Sequence, residues 1–271
     1  MSVSPPAPTA ATHLRRVAVL GNPNTGKTTL FNQLTGYRAR TGNFAGVTVE
    51  HRTGPLRHAA DAVEVIDLPG TYSLAARSMD ERVAVDVLLG RNGRPRPDAV
   101  VVVLDASNLR RNLFLASQVL EAGLPTVVAL NMMDVAERRG LPVDIDSLQR
   151  HLGVPVIPVS APKGRGVDRL ADVLAADELP AAPEKPNLGS EAIEAGEFSP
   201  LDTARRYAWI DGILEATPSP AAPRSHLTEK IDRVLAHKVW GLVVFALLML
   251  VVFQAIYSWS APLMDMIDGG F

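Results

Sequence analysis

Gly21-Asn22-Pro23-Asn24-Thr25-Gly26-Lys27-Thr28 follows directly on the apolar run Val17-Ala18-Val19-Leu20. The octet has the spacing G-x-x-x-x-G-K-[ST], and its place after a buried strand is what phosphate chemistry requires. A strand ends, a glycine-bearing loop turns, and a helix begins with its N–H groups aimed into the loop. Gly21 and Gly26 let the backbone close around an anion with no Cβ in the way. Lys27 supplies a cation for β- and γ-phosphates, and Thr28 a hydroxyl for Mg2+.

Working outward, short apolar runs stand at Val17–Leu20, Val63–Ile66, Val100–Leu104, Thr126–Leu130 and Val156–Val159. They read as parallel strands buried on both faces. Helical patterns lie between or after them at Lys27–Leu34, Met79–Leu89, Leu109–Ala122, Asp146–Leu152 and Val167–Ala176. This βαβ rhythm predicts an α/β fold: a mostly parallel, doubly wound sheet with helices on both faces. Val47–Leu56 alternates polar and apolar residues and suits an antiparallel edge strand. Residues 177–200 are rich in Pro, Ala, Glu and Gly and read as a linker or loose loop. A helical stretch follows at Leu201–Ala216, then a Pro-rich break at Pro218–Pro223, and Thr228 suits an N-cap for a further helix.

The domain plan is therefore a Pro-, Ala-, Ser- and Thr-rich tail at 1–13 and an α/β domain at 14–177. A linker and small helical domain follow at 178–236, a membrane helix at 237–260 and a tail at 261–271. The membrane assignment rests on Val239–Tyr257, 19 residues without a charge. As a helix this is about 28 Å long, close to the hydrocarbon thickness of a bilayer. Trp240, Tyr257 and Trp259 stand at its edges. Arg224, Lys230, Arg233 and Lys238 precede it while Asp265 and Asp268 follow, which places its N-terminal side in the cytoplasm. The start of the chain lacks the apolar h-region of a secretory signal.

Net charge is −2, so there is no bulk attraction to nucleic acid. The absence of cysteine excludes disulfides, thiolate metal sites and a cysteine nucleophile. His13, His51, His58, His151, His226 and His237 are scattered without ligand spacing.

Four further segments follow the phosphate loop, three of them at strand ends, where open α/β sheets bind ligands. Asp67-Leu68-Pro69-Gly70 offers a carboxylate to hold Mg2+ and a Gly70 N–H for a γ-phosphate. Asn131-Met132-Met133-Asp134 places a carboxylate where it can accept from guanine N1 and N2. Adenine lacks those donors and would leave the carboxylate unpaired, a strong basis for discrimination. Asp134 could equally serve a helix start, and Asn131 can brace neighbouring loops. Ser160-Ala161 offers a backbone N–H to the guanine O6. Thr48, in Gly42-Asn43-Phe44-Ala45-Gly46-Val47-Thr48, could complete the Mg2+ shell when a γ-phosphate is present, or could be an edge-strand threonine.

With these residues in order, the chain resembles a translation-factor-type small GTPase. More narrowly it resembles the N-terminal cytoplasmic part of the FeoB family of bacterial ferrous-iron transporters. The resemblance is carried by Gly21–Thr28, Thr41–Glu50, Asp67-Leu68-Pro69-Gly70-Thr71-Tyr72-Ser73-Leu74 and Asn131–Asp134, where Met132 replaces the lysine of most other GTPases. It resumes at Arg206-Tyr207 and Ile231–His237. It implies a P-loop GTPase domain, a small helical domain that couples nucleotide state to the membrane part, and then a membrane helix. It implies binding of GTP and GDP with Mg2+, and slow, potassium-stimulated hydrolysis of GTP to GDP and phosphate. Lys27, Thr48 and Gly70 would serve hydrolysis. Gly21, Asn22, Asn24, Thr25, Gly26, Thr28, Thr29, Asp67, Asn131, Met132, Asp134, Ser160 and Ala161 would complete the nucleotide site. Thr28, Thr48 and Asp67 would hold Mg2+. Asn24, with carbonyls near Gly42–Phe44, would hold K+, taking a role worth roughly 10³–10⁵ in rate when an arginine supplies it. Small accessory transport proteins and a homo-oligomer are the partners it allows, with the domain at the cytoplasmic face of the bacterial inner membrane.

Thr71 stands where many GTPases carry a water-positioning glutamine, so no side-chain base is evident. A transporter of this kind needs many membrane helices, and this sequence carries one apolar segment. The competing reading is a soluble TrmE-Era-type GTPase acting on RNA or ribosome assembly. That reading calls for a basic appendage, and none is present.

Overall fold

The computed structural model describes residues 14–43, 50–75, 78–141, 143–184, 186, 188, 198–217 and 240–255. The chain divides into two compact units, Met1–Pro220 and Ala221–Phe271. In the first unit, seven strands form one sheet. They are β1 (Arg15–Gly21), β2 (Arg40–Asn43), β3 (Glu50–Pro55), β4 (Val63–Asp67), β5 (Ala99–Asp105), β6 (Thr126–Asn131) and β7 (Val156–Pro158). Their order is β2-β3-β4-β1-β5-β6-β7. β4, β1, β5, β6 and β7 run parallel, and β3 and β2 add antiparallel.

The apolar runs explain the layering. Successive side chains of a strand point to opposite faces. Thus Ala18 and Leu20 of β1, with Val100, Val102 and Leu104 of β5, enter one core cluster. Val17 and Val19, with Ala99, Val101 and Val103, enter the other. Helices α1 (Lys27–Thr35) and α6 (Val167–Ala175) cover the second cluster through Leu30, Phe31, Leu34, Leu170 and Leu174. Helices α2 (Met79–Leu89), α3 (Leu109–Glu121) and α5 (Ile145–Leu152) cover the first, joined by Ile210 and Ile213 of α7 (Pro200–Ala216). Local chemistry sets the ends. Ser78 and Glu81 form a capping box at α2, and Ser199 and Asp202 another at α7, with Pro200 at its first position.

Three features depart from the sequence reading. The antiparallel strand expected over Val47–Leu56 is Glu50–Pro55, and it is not the edge. β2 lies outside it, although Arg40-Thr41-Gly42-Asn43 shows no apolar alternation. A short helix, α4 (Met133–Arg138), opens directly after β6. Within the stretch read as a loose linker, Leu188 is buried and its N–H donates to Glu121 Oε1 at 3.1 Å.

α7 is fastened to α3 by an ion pair whose two side chains are 0% exposed, Arg206 with Glu121. Arg206 Nη1 also donates to Ser117 Oγ at 3.3 Å, and its guanidinium lies 4.9 Å from the centre of the Phe198 ring. Tyr207 stacks on Phe114 at 5.2 Å, and Arg110 grips Asp211 with two hydrogen bonds of 2.7 and 2.9 Å.

In the second unit, the described part of the expected membrane segment is helix α8 (Trp240–Gln254), 15 residues without charge. It is about 22 Å long at 1.5 Å per residue. Among the described residues no helix is long and apolar enough to cross a membrane. Residues 237–239 and 256–260 of the expected span, and the helix expected from Thr228, lie outside the described residues.

Candidate functional site

The loops at the C-terminal ends of β1, β4, β6 and β7 carry the motif residues. Strand order places β1 at the centre, with its chain returning first on the β4 side and then on the β5 side. This is the switch point where such sheets open a crevice. A cavity of about 380 Å³ opens there. Asn22, Asn24, Gly26, Lys27, Thr28 and Thr29 line it, joined from the β4 loop by Gly70. Pro23, which the sequence reading left without a role, completes the wall.

Asn24 takes the left-handed conformation at φ 65°, which asparagine tolerates better than most residues. Gly26 follows at φ 80° and opens α1 with no side-chain cap. Among the described residues, the first N–H groups of α1 therefore face the loop without a side-chain cap, as anion binding requires. Thr25 is buried, and its hydroxyl donates to Asn22 O at 2.8 Å, closing the loop on itself. Gly21 packs so closely that an added Cβ would lie 2.8 Å from Val103 O. Lys27 pairs with Asp67, both about a tenth exposed, and Thr28 Oγ1 lies 3.5 Å from Asp67 Oδ2. A hydroxyl and a carboxylate side by side are the hard oxygen donors that Mg2+ prefers. Among the described residues, the buried Asn22 Oδ1 acceptor has no hydrogen-bond partner.

The second half of the site is built on Asn131, fully buried at the end of β6. Its Nδ2 donates to Thr25 O at 2.8 Å, and its Oδ1 accepts from the Ala161 N–H at 3.0 Å. One amide thus ties the phosphate loop to the loop after β7. Of the Ser160-Ala161 backbone, expected to offer an N–H to the guanine O6, the Ala161 N–H is engaged by this brace. Met132 adopts φ 60° and begins α4, a strained conformation for a long side chain and one that clusters at functional sites. It turns the chain so that Asp134 falls in the first turn of α4, where Oδ1 accepts from Ser160 Oγ at 2.9 Å. Lys163 and Arg138 approach Oδ2 at 3.2 and 3.5 Å. The Ser160 hydroxyl, and then the two cations, hold the Asp134 carboxyl below its ordinary value against the opposing effect of burial. Ser160 and Arg165 pair across a small bridge, with Ser160 N–H donating to Arg165 O at 3.0 Å. Gly166, at φ 74°, closes that loop where an added Cβ would lie 2.1 Å from Pro158 O.

Thus Asn22, Asn24, Gly26, Lys27, Thr28, Thr29 and Gly70 line one cavity, and Gly21, Thr25 and Asp67 adjoin that lining, Thr25 through Asn22 and Asp67 through Lys27. Asn131, Met132, Asp134, Ser160 and Ala161 form the adjoining cluster. Thr48 lies outside the described residues. Sequence reasoning missed Lys163 and Arg138. Arg138 was detectable from its four-residue spacing to Asp134. Lys163 reaches the carboxylate only because its loop turns at Gly164, φ 67°, and Gly166.

A phosphate-binding loop, an adjoining Asp-x-x-Gly strand end and an Asn-x-x-Asp strand end on this sheet define a P-loop GTPase fold. The family profile described as ferrous iron transport protein B matches residues 15–174. The chain belongs to that family, FeoB. The Fe(2+) transporter FeoB of Salmonella typhimurium is 34% identical over 313 residues, covering 94% of this chain and 40% of that protein. The chain thus spans about two fifths of the length of such relatives. A mutant NFeoB of S. thermophilus bound to GDP is 32% identical, with a TM-score of 0.64 over 75% of this chain and 99% of that one. The cytosolic domain of L. pneumophila FeoB is 35% identical, with a TM-score of 0.63 over 74% and 98%. These likenesses do not favour the RNA-directed alternative.

Proposed function

We propose that this chain is the GTP-binding and GTP-hydrolysing switch of a membrane ferrous-iron transporter, held at the cytoplasmic face of the bacterial inner membrane. One observation carries the reading. Asn131 joins the phosphate loop to the loop beside Asp134, so triphosphate and base are gripped by a single braced unit. The S. thermophilus relative binds GDP at a domain of the same fold.

In this reading the α1 N-terminus and Lys27 hold the β- and γ-phosphates. Thr28 and Asp67 are placed to hold Mg2+, which when bound neutralises charge on the phosphate oxygens. Asn24 lines the phosphate cavity with an exposed side chain, where its amide oxygen can serve a potassium ion. Thr48 would complete the Mg2+ shell. The Gly70 N–H faces the γ-phosphate and supports its charge in the transition state. Asp134 accepts from guanine N1 and N2. Ser160 orients that carboxylate, and Asn131 keeps the two halves in register. α7 and the residues beyond it carry the nucleotide state toward the membrane part, with small accessory transport proteins and self-association as further partners.

Steady-state hydrolysis of GTP and ATP in potassium and in sodium buffers tests this. The expected result is turnover of GTP alone, slow, faster in potassium and abolished by Lys27→Ala. Equal turnover of ATP refutes the role of Asp134. A potassium response that survives Asn24→Ala removes the ion from that residue.

A further inference from the structure

We propose that Arg111 is a positioning residue for GTP hydrolysis, acting through Tyr72. The proposal rests on the reading of the phosphate loop given above and names what holds the Gly70 segment in place.

Thr71 follows Gly70, at the position where a water-orienting side chain would be sought. It is turned inward instead. It is 0% exposed, and its hydroxyl donates to Ser73 O at 2.6 Å with Glu81 Oε1 at 3.2 Å. Its N–H donates to Gly21 O at 3.2 Å, which ties the segment to the first residue of the phosphate loop. The next side chain, Tyr72, is 40% exposed. The Arg111 guanidinium lies over its ring, 4.3 Å from the centre. The carbonyl of the same Arg111 accepts from Asn22 Nδ2 at 3.5 Å, and Asn22 lines the phosphate cavity together with Gly70.

Arg111 therefore joins two parts of the site. Its main chain holds the phosphate loop, and its side chain holds the segment carrying Gly70. Upstream, the segment is fixed by the Leu68 N–H on Val19 O at 3.1 Å. Downstream it is held by the Thr71 N–H and hydroxyl, by the Leu74 N–H on Gln118 Oε1 at 2.6 Å and by the stack of Tyr72 with Arg111. Gly70 has no side chain of its own to fix it, so the aim of its N–H is set by these two ends. A donor aimed at charge that develops only in the transition state is sensitive to such placement. A cation over an exposed ring is worth enough to change a rate by about 2- to 5-fold.

The test measures kcat and KM for GTP, and the affinity for a fluorescent GDP, in Arg111→Ala, Arg111→Lys, Tyr72→Leu and Tyr72→Phe, with Lys27→Ala alongside. Arg111→Ala leaves the main-chain bond to Asn22 in place and so isolates the side chain. The expected result is a kcat lowered by about 2- to 5-fold in Arg111→Ala and in Tyr72→Leu, with KM and GDP affinity held. Arg111→Lys and Tyr72→Phe, which keep a cation and a ring, recover most of that loss. The double variant Arg111→Ala with Tyr72→Leu is no slower than either single one. An unchanged kcat in Arg111→Ala, or a loss seen in KM alone, overturns the proposal while inactive Lys27→Ala leaves the GTPase reading standing. If Lys27→Ala hydrolyses GTP like the unaltered chain, the GTPase reading itself fails.

Discussion

Removing the Glu121 carboxylate should destabilise the first unit severely, although Glu121 lies far along α3 from the phosphate loop. Arg206 and Glu121 are both fully buried, and among the described residues Arg206 Nε has no partner even in the intact pair. In Glu121→Ala the guanidinium stays in the core, and among the described residues Ser117 Oγ and the Phe198 ring are left to offset its lost hydration. Breaking a buried pair from one side costs about 3–5 kcal/mol, because an uncompensated charge remains. The Leu188 N–H also loses its acceptor. For a unit of this size each kcal/mol lowers Tm by about 2–4 °C, so the expected fall is roughly 6–20 °C. The assay is thermal unfolding followed by circular dichroism at neutral pH. The double variant Glu121→Leu with Arg206→Met removes both charges and keeps most of the volume. It should regain most of the loss, short of the about 1–3 kcal/mol left by the unpaired Leu188 N–H. A fall below about 2 °C in Glu121→Ala, or a double variant as unstable as the two single losses added together, would refute the reasoning.

Asp134→Asn should turn base preference from guanine toward xanthine by at least about 100-fold, because an amide donates where xanthine carries a carbonyl; competition for a fluorescent nucleotide measures it, and an unchanged ranking sinks the base assignment. Asp134 is held below its ordinary carboxyl value, chiefly by Ser160. A depressed carboxyl keeps its ionised form, and its contribution to folding and base binding, above the unfolded value and loses both only as pH falls through the lower native one. GDP affinity should therefore stay flat from neutral pH down to about pH 5, and a titration centred near pH 6 would contradict this. Gly26→Ala should abolish nucleotide binding, since its Cβ would lie 2.4 Å from Asn131 Nδ2 at a φ of 80°; calorimetry showing unaltered GDP binding would contradict the brace.

The five parallel strands were legible because strands covered on both faces write themselves as unbroken apolar runs, as Val100–Leu104 does. α2 was legible to the residue because Ser78 and Glu81 mark its start and Gly90 its end. β2 was not, because Arg40-Thr41-Gly42-Asn43 carries no apolar alternation and is defined by its pairing with β3. For α4 a helix start near Asp134 was legible but its extent was not, because six residues after a left-handed Met132 leave too little periodicity to read. In the site, the residues that touch phosphate stand in one contiguous octet and were read directly. The brace of Asn131 was legible as a role but not as two partners, since Thr25 O and the Ala161 N–H are backbone groups with no letter in the sequence. Lys163 was hidden for a related reason: its reach to Asp134 is set by loop shape.

The loop from Ser160 to Arg165 is pinched shut at its base, between one backbone bridge and a glycine that no larger residue can replace. Inside the pinch, Ala161 stays packed in the core and bonded to Asn131, while Pro162 and Lys163 stand exposed. Only the two exposed positions are open to exchange, and one of them, Lys163, sets the charge beside Asp134 without bearing on the strands or the phosphate cradle. A change at position 163 alone would thereby alter how long the same nucleotide stays bound, with no residue of the core disturbed.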